Sequence, residues 1–170
     1  DILMCRIIFL TMREHKGRGF TILELLVVLA IITILVAVSA PPLIKFYRIY
    51  KFNEYVNTVE NLIALARLTA MERGVNVGIC VQDNTLTLYN MGSSRSGICS
   101  GTVIRSLMVT ENFIQLSGSG DGFDPRGLAI FGGRVEVKNT VDNKCKRFCT
   151  QRLRGAITSN NCETSSGCEQ

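Results

Sequence analysis

Glu24 is the only charged residue between Phe20 and Ile44. A carboxylate within an apolar run costs a few kcal/mol unless it is paired or turned toward protein, so its chemistry is that of an acid requiring a cation. Cysteine is the second reactive type: seven are present, and Cys80, Cys99, Cys145, Cys149, Cys162 and Cys168 all lie in the last 91 residues, 80–170. Thiols in that number make disulfides or hold a metal. Catalytic chemistry has little to draw on. His15 is the single histidine and precedes the apolar run, and no phosphate-cradling Walker loop is present. An enzyme is not expected, and no cofactor is implied.

The acid must be positioned by the segment around it. About 20 apolar residues span the hydrocarbon core as a helix, and Phe20 to Ile44 is long enough to do so. Arg13, Lys16 and Arg18 against Glu14 make its N-terminal flank basic, the kind of flank that stays in the cytoplasm. A secretory signal peptide cut near Ser39-Ala40 is a weaker reading, because proline follows and the run is long. A permanent single-span anchor is another rival. Neither gives Glu24 a partner.

The stretch Gly19-Phe20-Thr21-Ile22-Leu23-Glu24-Leu25-Leu26-Val27-Val28 resembles the processing signal of type IV pilins and type II secretion pseudopilins. The resemblance implies that prepilin peptidase cuts between Gly19 and Phe20 and that the new amine at Phe20 is methylated. Glu24 then becomes the fifth residue of the mature chain, and its carboxylate can neutralise the Phe20 amine of a neighbouring subunit in an apolar filament core. A charge pair of that kind selects register, because a buried carboxylate without a partner is penalised. Residues 1–19 would be the leader, with Met12 as the expected true start; its removal takes away Cys5 and His15 and lowers the net charge from +5 to +3. The implied partners are prepilin peptidase, other pilins or pseudopilins, the inner-membrane assembly platform and the membrane itself. The implied location is the bacterial inner membrane, single-pass, with the C-terminal head in the periplasm or otherwise outside the cytoplasmic membrane.

Beyond the apolar run, Phe46, Ile49, Tyr50, Val56, Val59, Leu62, Ile63, Ala66 and Met71 recur at helical spacing, with charged residues between them. The spacing predicts one helix from Phe20 to about Arg73, about 80 Å long, ended by Gly74 and bent at Pro41-Pro42. Residues 20–44 form its transmembrane or filament-core half, and residues 45–170 hold its amphipathic half plus a head. After Gly74 the pattern changes to short β-type runs at 75–81, 85–90, 102–109, 112–116, 128–131 and 134–138, with weaker runs at 146–150 and 155–158. Gln82-Asp83-Asn84, the glycine-rich 118–122 segment and Gly132-Gly133 read as turns. The fold class is α+β: a long N-terminal α-helix packed against an antiparallel β-sheet head. The order of elements and the segment Phe123-Asp124-Pro125-Arg126-Gly127 resemble minor pseudopilins and minor pilins of the FimT/GspH type.

Outside the cytoplasm the six mature cysteines read first as disulfides. Cys80 with Cys99 brackets a hairpin strand; Cys145, Cys149, Cys162 and Cys168 allow three pairings, which stay open. A zinc site on those four is the rival, and their spacing is loose for one. Arg134 to Arg154 holds seven bases and two acids, so the positive charge is concentrated near the C-terminus. Arg152 and Arg154, at alternate positions, would share a strand face and could contact DNA phosphates, although the arginine pattern that follows a glycine in DNA-binding minor pilins is not reproduced after Gly155. The plainer reading is a solvated basic edge. The expected function is therefore structural, a minor pilin or pseudopilin acting at the tip or in initiation of a secretion pseudopilus or type IV pilus. The alternative is a DNA-binding minor pilin of an uptake pilus.

Overall fold

A computed structural model describes residues 20–150, 157–162 and 168. One helix, α1 (Ile22–Arg73), is followed by seven strands: β1 (Asn76–Gln82), β2 (Thr85–Gly92), β3 (Thr102–Met108), β4 (Ile114–Phe123), β5 (Arg134–Asn139), β6 (Lys144–Thr150) and β7 (Ile157–Asn161). The chain divides into two compact units, residues 1–44 and residues 45–170.

The helix ends where the sequence asks it to. Gly74 takes φ 63°, a left-handed value that costs glycine nothing, and the Val75 N–H donates to the Ala70 carbonyl at 3.2 Å. This six-to-one bond closes a Schellman cap and satisfies a carbonyl that the last turn would otherwise orphan. The prolines sit inside α1 rather than ending it. They supply no N–H to the preceding turn, so the ladder of i→i−4 bonds is interrupted there.

In the 45–170 unit, α1 packs one stripe on a seven-stranded antiparallel sheet ordered β3-β2-β1-β4-β5-β6-β7. Phe52, Val59, Leu62, Ile63, Ala66 and Ala70 recur three, four and seven residues apart and lie in the core. Alternate residues of the strands meet them, among them Val77 and Ile79 of β1, Leu86 and Leu88 of β2, Val135 and Val137 of β5, and Phe148 of β6. The β1–β2 hairpin turns on Asp83 and Asn84, both at positive φ, the two-residue turn whose twist suits flanking strands. The Asn84 side chain then accepts from the Leu116 N–H at 2.6 Å and donates to the Ile114 carbonyl at 3.2 Å, tying that turn to β4.

β4 corrects the sequence reading. The glycine-rich segment 118–122 is strand, not turn, and β4 runs ten residues from Ile114 to Phe123. Its first part pairs with β5 and its last part with β1, so it joins the two halves of the sheet. Glycine is required there because neighbouring backbone comes too close for a side chain: a Cβ on Gly118 would collide with the Arg134 carbonyl, and one on Gly120 with the Ile79 carbonyl. The expected strand at 128–131 does not form. It makes a single bridge, Phe123 with Ala129, because Asp124 to Gly127 turns the chain back too tightly for a ladder.

Candidate processing and assembly site

The first turn of α1 is built on Thr21. Its hydroxyl accepts the Glu24 N–H at 3.2 Å, and its carbonyl accepts the Leu25 N–H at 3.2 Å. Thr21 is thus the N-cap and Glu24 the third helical residue, the Thr-x-x-Glu spacing of a capping box. That spacing could be read directly from Thr21-Ile22-Leu23-Glu24, and sequence reasoning centred on the membrane run passed it over. At this position the acid also lies in the first turn, where the helix dipole favours a negative charge. Gly19 lies outside the described residues.

Around Glu24 the helix is apolar on every side and covered on none. Leu23, Leu25, Leu26, Val27 and Val28 occupy five of six consecutive positions and are between 46% and 74% exposed. A helix that is hydrophobic all round belongs in lipid or inside an assembly, so this surface is to be covered by something other than its own unit. Among the described residues no single helix is long and apolar enough to cross a membrane, whereas the bent pair Ile22–Val38 and Pro42–Arg73 passes together. The hydroxyl of Thr33 donates to the Ala30 carbonyl at 2.8 Å, which satisfies a polar group locally inside the apolar run.

Among the described residues, six cysteines form three disulfides. Cys80 bonds Cys99, Cys145 bonds Cys162 and Cys149 bonds Cys168, with Cα separations of 5.0, 5.3 and 5.5 Å. The last two staple β6 to the chain that follows it, each closing a loop long enough to contribute about 3 kcal/mol. Glu136 approaches Cys145 and Cys162, yet those sulfurs are bonded to each other and are not thiolates free to take a metal.

The basic residues do not gather into one stripe. Register pairs Glu136 with Arg147 and Val137 with Lys146, so Arg134, Lys138 and Arg147 share one face of the sheet, while Lys144 and Lys146 share the other. On the first face Glu136 holds Arg147 at 2.7 Å and Arg134 at 3.6 Å. Arg152 and Arg154 lie outside the described residues.

Two buried acids tie the head together. Asp121 accepts from the N–H of Phe131 at 3.0 Å, from the N–H of Gly133 at 3.2 Å and from the Thr150 hydroxyl. These bonds link β4 to β6 through the intervening loop and leave the carboxylate satisfied. Asp124 is 2% exposed and accepts from the N–H groups of Arg126 and Leu128 at 2.9 and 3.0 Å, while its second oxygen receives Arg126 at 2.8 Å and Arg95 at 3.2 Å. Burial alone would raise its pKa, but the Arg126 side chain and the two backbone donors outweigh that and hold it below the ordinary carboxylate range. Both are structural acids by their bonding.

Residues 15–40 match the prokaryotic N-terminal methylation motif, the type IV pilin-like prepilin signal. No curated protein and no solved structure matches the chain. The motif supports a type IV pilin or pseudopilin processed by prepilin peptidase and anchored in the membrane before assembly, and with the α+β head it points to a structural protein.

Proposed function

We propose that this chain is a minor pilin or pseudopilin, cut between Gly19 and Phe20, methylated at Phe20 and built into a type IV pilus or a type II secretion pseudopilus at its tip or in its initiation. The observation that carries the reading is the methylation motif lying on a capped helix whose first turns are apolar on all sides and hold one acid, Glu24. In the membrane that acid sits near the surface, in the first turn of α1. In a filament it would receive the Phe20 amine of a neighbour, where water is excluded and an unpaired carboxylate is costly. The inner-membrane assembly platform and other pilin-like subunits are the partners this requires.

Glu24→Val tests it. The variant removes the carboxylate but leaves Thr21 and its hydroxyl cap in place, so membrane insertion and leader removal should proceed while recovery in sheared filaments falls at least about tenfold, the change that 1.4 kcal/mol makes. Normal incorporation of Glu24→Val would refute the assembly role. The DNA-uptake reading has no specific support in the described basic residues, since Glu136 holds two of them and the others divide between two faces.

A further inference from the structure

Where the apolar run stops, at Ile44, α1 continues as Lys45-Phe46-Tyr47-Arg48-Ile49-Tyr50. Tyrosine and basic residues are types that gather at a membrane–water boundary. Tyr47 also reaches the head: its hydroxyl donates to the Glu111 carboxylate at 3.2 Å, and its ring meets Phe113 edge-on with centroids 6.5 Å apart. The Phe113 carbonyl in turn accepts from the N–H and hydroxyl of Thr140 at 2.9 and 3.3 Å, and the Val109 N–H donates to the Asn84 carbonyl at 3.1 Å. Register agrees, since Gln82 pairs with Thr85, Thr85 with Met108, Ile114 with Asn139 and Asn139 with Lys144. The β1–β2, β3–β4 and β5–β6 connections are therefore gathered at one end of the sheet, beside Tyr47. Two large apolar side chains stand out from that end, Met108 at 68% and Val141 at 53% exposed, whereas Val109, next to Met108, is buried in the core. Charge there is balanced. Asp83, Glu111 and Asp142 match Lys45, Arg48 and Lys144 in number, and Lys51 pairs with Glu54 at 3.0 Å.

We propose that this end of the head is a lipid-docking surface: in the membrane-anchored chain, Met108 and Val141 enter the phospholipid headgroup layer of the leaflet from which the head emerges. Continuity with the apolar run selects the occupant. Tyr47 is three residues past Ile44, about 4.5 Å along the helix axis, and the headgroup layer is about 5–8 Å deep on each side of the bilayer. The loops that Tyr47 contacts therefore stand at the depth of that layer. Without net charge, the attraction is insertion of apolar side chains, which suits zwitterionic phospholipid and needs no anionic lipid. Seated this way, the head is restrained while the chain stays in the bilayer, and departure from the bilayer releases it.

The proposal rests on the membrane-anchored reading, and vesicle flotation of the same samples keeps the two ideas separate. The chain contains no tryptophan, so a single introduced one reports alone. Full-length Met108→Trp, Val141→Trp and, as the control, Phe131→Trp are each co-expressed with prepilin peptidase and reconstituted into phosphatidylcholine vesicles, with or without a nitroxide near the headgroup end of the acyl chains. Phe131 is a matched control at 50% exposure, and its N–H bonds Asp121, seven residues along β4 from Ile114 and so about 20 Å from the docking end. Nitroxide quenching at 108 and at 141 should exceed that at 131 at least about threefold. Met108→Glu should lower the quenching of Val141→Trp about twofold, because the two side chains seat together, and should leave the thermal midpoint unchanged, because Met108 adds little to the core. Quenching at 108 or 141 no greater than at 131, in chains that float with the vesicles, would overturn docking and leave anchoring intact. Blue-shifted emission without quenching would show protein over this end and would overturn it as well. Chains that fail to float would remove the anchored reading and the docking with it.

Discussion

Asp124 offers the sharpest test of how the head is held. Replacing it with alanine removes the acceptor for two backbone N–H groups, those of Arg126 and Leu128, and for two guanidiniums. Hydrogen bonds to a charged acceptor contribute roughly 1.5–3 kcal/mol each, and the freed turn recovers part of that from water. The arginines are largely exposed and add under about 1 kcal/mol. The expected loss for Asp124→Ala is therefore about 3 kcal/mol. Asp124→Asn keeps one carbonyl for the backbone donors but sets an amide against the arginines, for a loss of about 1–2 kcal/mol. The sign with pH is fixed: the folded pKa is depressed, so this stabilisation is complete above the unfolded carboxylate value and disappears as pH falls through the folded one. Thermal midpoints of the detergent-solubilised, disulfide-intact chain at about pH 7 and about pH 2.5 read both effects. Asp124→Asn should melt below the unsubstituted chain at neutral pH, and the gap should narrow as pH falls. A gap that does not narrow in acid, or no gap at neutral pH, would refute the account.

Further outcomes follow from the same structure. Gly120→Ala forces a side chain into the Ile79 carbonyl at a positive φ and should cost more than about 2 kcal/mol by thermal melting, enough to disturb the β4–β1 junction. Replacing Cys145 and Cys162 together by serine should lower stability by about 2–4 kcal/mol and increase protease cutting after β6, with Cys80–Cys99 intact by mass mapping.

The helix was legible because its signals are local. Glycine at 74, an apolar stripe at helical spacing and the stretch from Phe20 to Ile44 with one acid each act within a turn or two of chain. The early strands were legible for the same reason, since β1 and β2 alternate and are joined by Asp83-Asn84. The centre of the sheet was not. Gly118, Gly120 and Gly122 read as flexible turn residues in isolation, and only the approach of β1 and β5 from either side makes glycine a strand requirement. The 128–131 run failed in the opposite sense: its residues suit a strand, but the Asp124 turn leaves them one bridge. Arg67 was read as a charge between helical apolar positions, and its sealed Nε depends on the turn that packs against it. At the candidate processing site the acid and its offset from glycine were readable, and so was the Thr21 cap, which needs only the four residues Thr21 to Glu24.

The central claim is that this chain becomes a subunit only after its N-terminus is remade. Mass spectrometry of the N-terminal peptide, from protein isolated from membranes containing prepilin peptidase, tests it directly. The account predicts a peptide beginning at Phe20 and carrying one methyl group on its amine. A peptide that still contains Arg18-Gly19, or one beginning beyond Ala40, would contradict it.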